Sequence, residues 1–260
     1  MAYCGVGIVS RKHVSYSVKT PPFETKELRR KLTEFLDEPF SDPETGVARK
    51  VGDFKWGVYA FYDYEGEPIY VGQTNEKLRV RIRRHLTNQR TDAVAMSVLD
   101  PFEVLEIEVW PLPQFENVSC KGRKSEECTA ARAHLNALER LIYESSLSES
   151  LFKAILNEKD PPTAVVDVSI PPSLRMSIVS KEVHGLRSHP DTRIARRALT
   201  MSKLSQVISE RKVQGGLRRV LLTQATRLQW LAERRYTALG GADTVEVENG
   251  PENGNNEDRP

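Results

Sequence analysis

The sequence predicts an α/β protein: a small mixed three-stranded sheet flanked by helices, with a C-terminal helical extension. Two runs rich in aromatic and β-branched residues, at 56–63 and 68–72, lie on either side of a polar turn and predict a hairpin. A third run at 102–110 alternates between apolar and acidic residues, as a half-buried strand does. Amphipathic patterns before and after these runs predict the helices.

The first helix is predicted at 23–36, where Leu28, Leu32 and Phe35 recur at helical spacing. We expect it to pack on the sheet, because its apolar stripe needs a hydrophobic partner. A basic helix at 77–90 follows the second strand directly.

A longer helix at 126–147 carries four apolar residues within one narrow stripe: Ala131, Leu135, Leu138 and Ile142. This stripe is expected to face the core. The segment 147–157 favours another short helix, which the two prolines at 161–162 stop. Farther on, 191–213 and 217–236 predict two helices separated by two glycines.

Four regions follow from this pattern: an N-terminal extension with a packing helix at 1–50, a core at 51–170, a basic helical extension at 171–238 and a disordered acidic tail at 239–260. The basic extension holds fourteen Lys or Arg against four acidic residues, a net charge of +10, whereas the tail has a net charge of −5. A basic segment can attract nucleic acid through its phosphates, although a basic helical face is more often only solvated.

The overall composition is that of a soluble globular protein, with 39% hydrophobic and 28% charged residues in a chain of 260. No run of eighteen apolar residues occurs, so we expect no membrane contact and a cytoplasmic location. The three cysteines, Cys4, Cys120 and Cys128, lack C-x-x-C spacing. We therefore expect free thiols and neither a disulfide nor a zinc site.

The two strands of the hairpin carry glycine and tyrosine at matching places, in Gly57-Val58-Tyr59 and Tyr70-Val71-Gly72. Further polar residues follow in order: Arg81 and His85 on the basic helix, Glu139 on the long helix, and Asn157. This pattern resembles the GIY-YIG nuclease superfamily and is most similar to its type II restriction endonuclease branch. The resemblance is strongest over 51–90 and extends to about residue 162.

The resemblance implies a role for each of these residues. Tyr59 would act as, or activate, the base that takes a proton from the attacking water, and Tyr70 would support it. Arg81 would stabilise the charge of the transition state, and His85 would assist the attacking or leaving oxygen. Glu139 would be the metal ligand, while Asn157 would bond near the phosphate or order the site; Asn157 could equally cap a turn.

Elementary geometry agrees with several of these roles but does not require them. On a helical wheel, Arg81 and His85 border the apolar stripe of the basic helix, whereas Arg83 and Arg84 point away from it. Glu139 lies beside the core-facing stripe of its helix and can project into a cleft. Taken alone, strand tyrosines are most often packing residues, and helix arginines and glutamates are most often solvated.

One departure from the resembled family concerns residue 73. Many relatives carry lysine after Tyr-Val-Gly, whereas this chain has Gln73, so a cation that could help to acidify the phenol is missing. A phenol with a pKa near 10 needs such help to act as a base at neutral pH.

Together these observations predict a metal-dependent endonuclease that cuts a short palindromic site in double-stranded DNA. It would use one Mg²⁺, or Mn²⁺, per active site and would act as a homodimer. The alternatives are a DNA repair or mobile-element nuclease and a non-catalytic DNA-binding or partner-binding protein. Seven arginines are candidates for DNA contact: Arg79, Arg83, Arg84, Arg196, Arg197, Arg218 and Arg219.

Overall fold

The computed structural model describes residues 23–43, 46–87, 98–120, 125–213 and 215–241. Most of the predicted acidic tail lies outside these residues, from 242 onward, as do the first twenty-two residues of the N-terminal extension and its Cys4.

Six α-helices and six short strands make up the described part of the chain. The helices are α1 Phe23–Asp37, α2 Leu78–Leu86, α3 Glu126–Glu149, α4 Lys181–Arg187, α5 Pro190–Glu210 and α6 Gly215–Ala238. The strands are β1 Pro39–Ser41, β2 Ala48–Lys50, β3 Gly57–Tyr62, β4 Pro68–Thr74, β5 Glu106–Pro111 and β6 Leu174–Ser177. The predicted α/β class with a helical C-terminal region is confirmed.

The central sheet differs in detail from the prediction, because it has four antiparallel strands in the order β4-β3-β5-β6, where a mixed three-stranded sheet was expected. Strand β6 comes from the region assigned to the helical extension and pairs Met176 with Ile107 of β5. Its burial alternates over only four residues, a pattern too short to stand out in the sequence.

Strand alternation sends the side chains of β3 into two separate cores. Tyr59 and Phe61 join the core beneath α1 and α2, whereas Val58 and Ala60 join the core beneath α3. Strand β4 forms one edge of the sheet, and α3 packs along it. Both cores therefore meet at the β4 edge.

The helical extension is attached to the sheet by buried ion pairs. Asp63, at the end of β3, is 2% exposed in its side chain and accepts hydrogen bonds from Arg193, Arg197 and Arg227 at 3.2, 3.0 and 2.5 Å. Glu103 also pairs with Arg193 and Arg197. Three of the fourteen basic residues in the extension are thus paired inside the protein.

Two further expectations are corrected. Cys120 and Cys128 are joined by a disulfide, and their Cα atoms lie 5.4 Å apart, within the usual range for a bridge. The predicted short helix at 147–157 does not form, because α3 ends at Glu149 and the chain turns through Ser150. Among the described residues, no helix has the length and apolarity needed to span a membrane.

Candidate active site

An open cleft of about 340 Å³ lies at the β4 edge, between α2 and α3. Five of the six predicted site residues line it: Tyr70, Arg81, His85, Glu139 and Asn157. They come from four separate parts of the chain, namely β4, α2, α3 and the segment that follows α3. The sixth residue, Tyr59, lies directly behind the cleft wall.

Tyr59 is completely buried, and its ring occupies a space that glycine leaves open. A Cβ atom on Gly72, its cross-strand neighbour, would lie 2.7 Å from the Tyr59 hydroxyl oxygen and 2.9 Å from the Tyr70 ring. At Gly57, a Cβ atom would lie 2.8 Å from the carbonyl oxygen of Trp110. Both motif glycines are therefore explained by close packing.

The Tyr59 hydroxyl connects two cleft residues on α2. The Nε of Arg81 donates a hydrogen bond to it at 3.2 Å, and the Nε2 of His85 lies 3.4 Å from it. The His85 ring also packs against the ring of Tyr70, with centroids 5.1 Å apart. Since Arg81 and His85 are one helical turn apart, α2 presents both to the same phenol, as the helical wheel predicts.

Burial raises the pKa of Tyr59 well above its ordinary value, and the neighbouring Tyr70 and Glu139 add to this effect, while Arg81 opposes it. The phenol therefore keeps its proton at neutral pH. Because it is also sealed from the cleft, Tyr59 is placed to orient Arg81 and His85 rather than to contact a water molecule.

Glu139 projects from α3 into the cleft and is partly buried. Desolvation raises the pKa of its carboxyl to about 7, although a hydrogen bond from Gln73 and the charge of Arg81 lower it. Burial therefore disfavours the ionised form of the carboxyl, and a bound cation would favour it.

Gln73, which stands where lysine was expected, takes part in a side-chain network. Its amide nitrogen donates to the Oδ1 of Asn136 at 2.8 Å, in addition to its bond with Glu139. Asn136 lies one turn before Glu139 on α3. Gln73 thus fixes the candidate metal ligand without adding positive charge.

Asn157 is buried and its side chain is occupied by the backbone of β4. Its Oδ1 accepts from the backbone nitrogen of Val71 at 3.1 Å, and its Nδ2 donates to the carbonyl oxygen of Val71 at 2.8 Å. The adjacent Leu156 nitrogen donates to the carbonyl oxygen of Ile69 at 2.8 Å. These bonds satisfy the free edge of β4 and position the cleft wall.

Lys159 also lines the cleft, and sequence reasoning missed it. It is exposed, and within the described ranges no carboxylate forms an ion pair with it. It lies two residues after Asn157, whose side chain bonds to the backbone of β4. The sequence offered no signal for this residue, because it lies in an irregular segment whose path depends on the contact with β4.

The arginines of α2 that were predicted to contact DNA all have protein partners. Arg79 donates to Asp37 and to the carbonyl oxygen of Leu36, Arg83 donates to Thr33, and Arg84 pairs with Glu76. These contacts join α2 to α1 and to the loop after β4.

In the extension the prediction of DNA contact does not fit Arg197, since its side chain is only 3% exposed and is held by Asp63 and Glu103. The neighbouring Arg196 forms a bidentate ion pair with Asp100, and its guanidinium lies over the ring of Phe102. These arginines attach the extension to the core.

The beginning of α6 differs, because it borders the cleft. Arg219 pairs with Asp160 and donates to the carbonyl oxygen of Asn157, while Arg218 is exposed. A Cβ atom on Gly216 would lie 1.8 Å from the carbonyl oxygen of Glu158, so α6 packs tightly against the segment that forms the cleft lip.

The donor set fits a hydrated divalent cation. No group of three or more His, Cys, Asp or Glu side chains arranged for metal binding occurs in the part of the chain that the structure describes. Mg²⁺, however, keeps several waters and commonly binds through one or two carboxylates. Glu139, a desolvated carboxyl at an open cleft, provides one such ligand.

The chain has an α/β fold in which an arginine, a histidine and a carboxyl group surround one open cleft. This combination defines a class of protein suited to chemistry on anionic substrates. Residues 55–115 match the GIY-YIG catalytic domain family. This domain indicates a nuclease-type function, and such nucleases generally depend on divalent metal. The match includes β3, β4, α2 and β5 and ends before α3, so Glu139 and Asn157 lie outside it. No curated protein and no solved structure matched the chain.

Proposed function

We propose that this protein is a metal-dependent DNA endonuclease that hydrolyses phosphodiester bonds. The observation that carries the proposal is the meeting of Arg81, His85 and Glu139 at one cleft, beside the strands that match the catalytic domain. These three side chains supply a planar cation, a proton acceptor and a metal ligand. Phosphodiester hydrolysis needs all three functions.

The proton acceptor in this proposal is His85. As water attacks the phosphorus, a new P–O bond forms, the bond to the 3′ oxygen breaks, and one water proton passes to Nδ1 of His85, because Nε2 faces the Tyr59 hydroxyl. The phenol of Tyr59 orients this ring from behind, because its hydroxyl lies between His85 and Arg81. The 3′ oxygen leaves with a proton from solvent.

Arg81 stabilises the additional negative charge on the phosphate through its remaining guanidinium N–H groups, since only its Nε is engaged by Tyr59. Glu139 would hold one Mg²⁺ or Mn²⁺. When bound, the ion supplies positive charge beside the scissile phosphate and the leaving oxygen.

Lys159 provides a second phosphate contact at the cleft lip. Replacing Lys159 with alanine should weaken duplex binding and reduce the log-log salt slope by roughly 0.9, the contribution of one phosphate contact. Lys153→Ala is the matched control, because Lys153 donates to a backbone carbonyl and does not line the cleft. Equal salt slopes for the parent and Lys159→Ala would remove Lys159 from the site.

Within this class we favour a type II restriction endonuclease that acts as a homodimer on a palindromic site, because His85 accompanies Tyr70 and Arg81 in one cleft. A repair or mobile-element nuclease would cut according to DNA structure or context. A non-catalytic binding protein would not cut at all.

One digestion experiment separates these possibilities. The purified protein is incubated with phage DNA and Mg²⁺, and the fragment ends are sequenced, with Glu139→Gln as the inactive control and Glu144→Gln as the matched surface control. A restriction enzyme gives one fixed palindromic pattern of ends, whereas scattered ends favour the other nucleases. Intact DNA with the parental protein would contradict the proposal.

A further inference from the structure

The seam between β4 and α3 continues beyond the cleft as a second groove. The cleft is lined by Tyr70 of β4 and Glu139 of α3. The groove is lined by Gln73 and Asn75, which follow Tyr70 in the chain, and by Arg132 from the preceding turns of α3. On a helical wheel, Arg132 and Glu139 lie on the same face of α3, seven residues apart. The two spaces are therefore aligned along one direction.

The polar lining of this groove is unlike that of the cleft. It consists of two asparagines, one glutamine, one threonine and one arginine, with Leu135 as the apolar member, and it includes no carboxylate. Such a set is unsuited to hard cations, which prefer carboxylates. Amides and arginine together are the side chains that bond to base edges in the major groove of DNA.

Several polar atoms of the groove are available to a ligand. The bond from Gln73 to Asn136 uses an amide nitrogen of the first and the oxygen of the second. The oxygen of Gln73 and the amide nitrogen of Asn136 have no hydrogen-bond partner among the residues that the structure describes. One acceptor, the Gln73 oxygen, and one donor, the Asn136 amide nitrogen, are thus left for a base edge, and the edge of adenine presents both kinds of group.

Arg132 is exposed, and no acidic side chain in the described ranges pairs with it. It contrasts with Arg140 on the same helix, which pairs with Glu144 at 2.5 Å. A free guanidinium offers the two parallel donors that bind the edge of guanine.

The spacing between the groove and the cleft corresponds to a few base steps of DNA. Seven residues of helix separate Arg132 from Glu139, which corresponds to about 10 Å at 1.5 Å per residue. DNA advances 3.4 Å per base step along each strand, so this length spans about three steps. The geometry points to a base-reading subsite, formed by Gln73, Asn75, Arg132 and Asn136, that contacts base pairs next to the scissile phosphate. This inference rests on the proposed action on duplex DNA.

The test measures binding rather than cutting, so that it does not depend on catalysis. A pool of duplexes with randomised sequence is bound without divalent metal, and the bound fraction is sequenced for the parent, Arg132→Ala and Arg140→Ala. We expect the parent to enrich particular base pairs. In Arg132→Ala the enrichment at one or two adjacent positions should fall about tenfold, whereas Arg140→Ala should keep the parental enrichment.

Other outcomes overturn the subsite. The subsite is wrong if the parent binds duplexes without base preference, or if it binds no duplex. It is also wrong if Arg132→Ala keeps the full base preference while its salt slope falls by roughly 0.9, because that result would indicate a phosphate contact. Asn75→Ala provides a second variant, because this exposed side chain has no described hydrogen bond that folding would lose. Failure to cut DNA with Mg²⁺ would contradict the nuclease, while the binding result would still decide the groove.

Discussion

At the scale of single residues, the site depends on two groups whose protonation is controlled by burial. Tyr59 is sealed behind Arg81 and His85, and its pKa is raised far above the ordinary value, first by desolvation. Glu139 reaches the cleft, and desolvation raises the pKa of its carboxyl to about 7. The proposed function therefore gives each group a different task, positioning for Tyr59 and metal binding for Glu139.

Replacing Tyr59 with phenylalanine should lower the single-turnover rate by roughly 10- to 100-fold, the usual effect of losing a group that orients another. His85→Ala should cost more, roughly 100- to 10,000-fold, because a proton acceptor is removed. Tyr62→Phe is the matched control, since the Tyr62 hydroxyl donates to Glu108 away from the cleft. A larger loss for Tyr59→Phe than for His85→Ala would make Tyr59 the base.

The metal affinity should depend on pH through Glu139. Because the pKa of this carboxyl is raised to about 7, its proton must leave before a cation binds, so the apparent Mn²⁺ affinity should rise about tenfold per pH unit below pH 7 and level off above it. Calorimetric titration between pH 5.5 and 8.5 gives the slope. A flat profile, or an unchanged affinity in Glu139→Gln, would exclude Glu139 as the ligand.

At the scale of elements, the edge of β4 is completed by a segment that is neither helix nor strand. Asn157 and Leu156 bond to the outer backbone groups of β4, which would otherwise be free at the sheet edge. The same segment carries Lys159 to the cleft. Order in this irregular segment is thus coupled to the shape of the site.

The first effect of Asn157→Ala should therefore be a loss of stability in β4, and any effect on catalysis should follow from that loss. It leaves the backbone N–H and carbonyl of Val71 without partners, which should lower the free energy of unfolding by about 2 kcal/mol and speed hydrogen exchange at Val71. Asn75→Ala, on an exposed loop, should change neither quantity. Unchanged stability and exchange in Asn157→Ala, together with lost cleavage, would instead indicate direct contact with the substrate.

At the scale of the whole molecule, the extension and the sheet form one structure. Strand β6 completes the sheet, and three arginines of α5 and α6 converge on Asp63 at the end of β3. Removing one partner of a buried ionic group is costly, because the remaining charges stay buried. The attachment of the extension should thus depend strongly on Asp63.

Asp63→Ala should lower the free energy of unfolding by about 3–5 kcal/mol and make the extension sensitive to proteolysis. Asp191→Ala is the matched control: it removes the partner of Arg235 at the surface and should leave the melting temperature nearly unchanged. Similar melting temperatures for the parent and Asp63→Ala would show that apolar contacts alone hold the extension.

The sequence alone determined the local part of this protein. Alternation and glycine placement predicted the β3–β4 hairpin, and helical spacing placed Arg81 and His85 on one side of α2 and Glu139 beside the core-facing stripe of α3. These patterns depend on neighbours a few residues apart, so the chain itself records them.

The tertiary structure alone decided which charges are available. Arg197 and Arg218 both occur in basic helical stretches, yet the first is buried against Asp63 and the second is exposed. The acidic partners of Arg197 lie more than ninety residues away in the chain. The strand β5, which β6 extends, lies more than sixty residues before β6. These distances are too long for local sequence patterns to reveal the contacts. Long-range packing sets these contacts, and it also sets the burial that raises the pKa of Glu139.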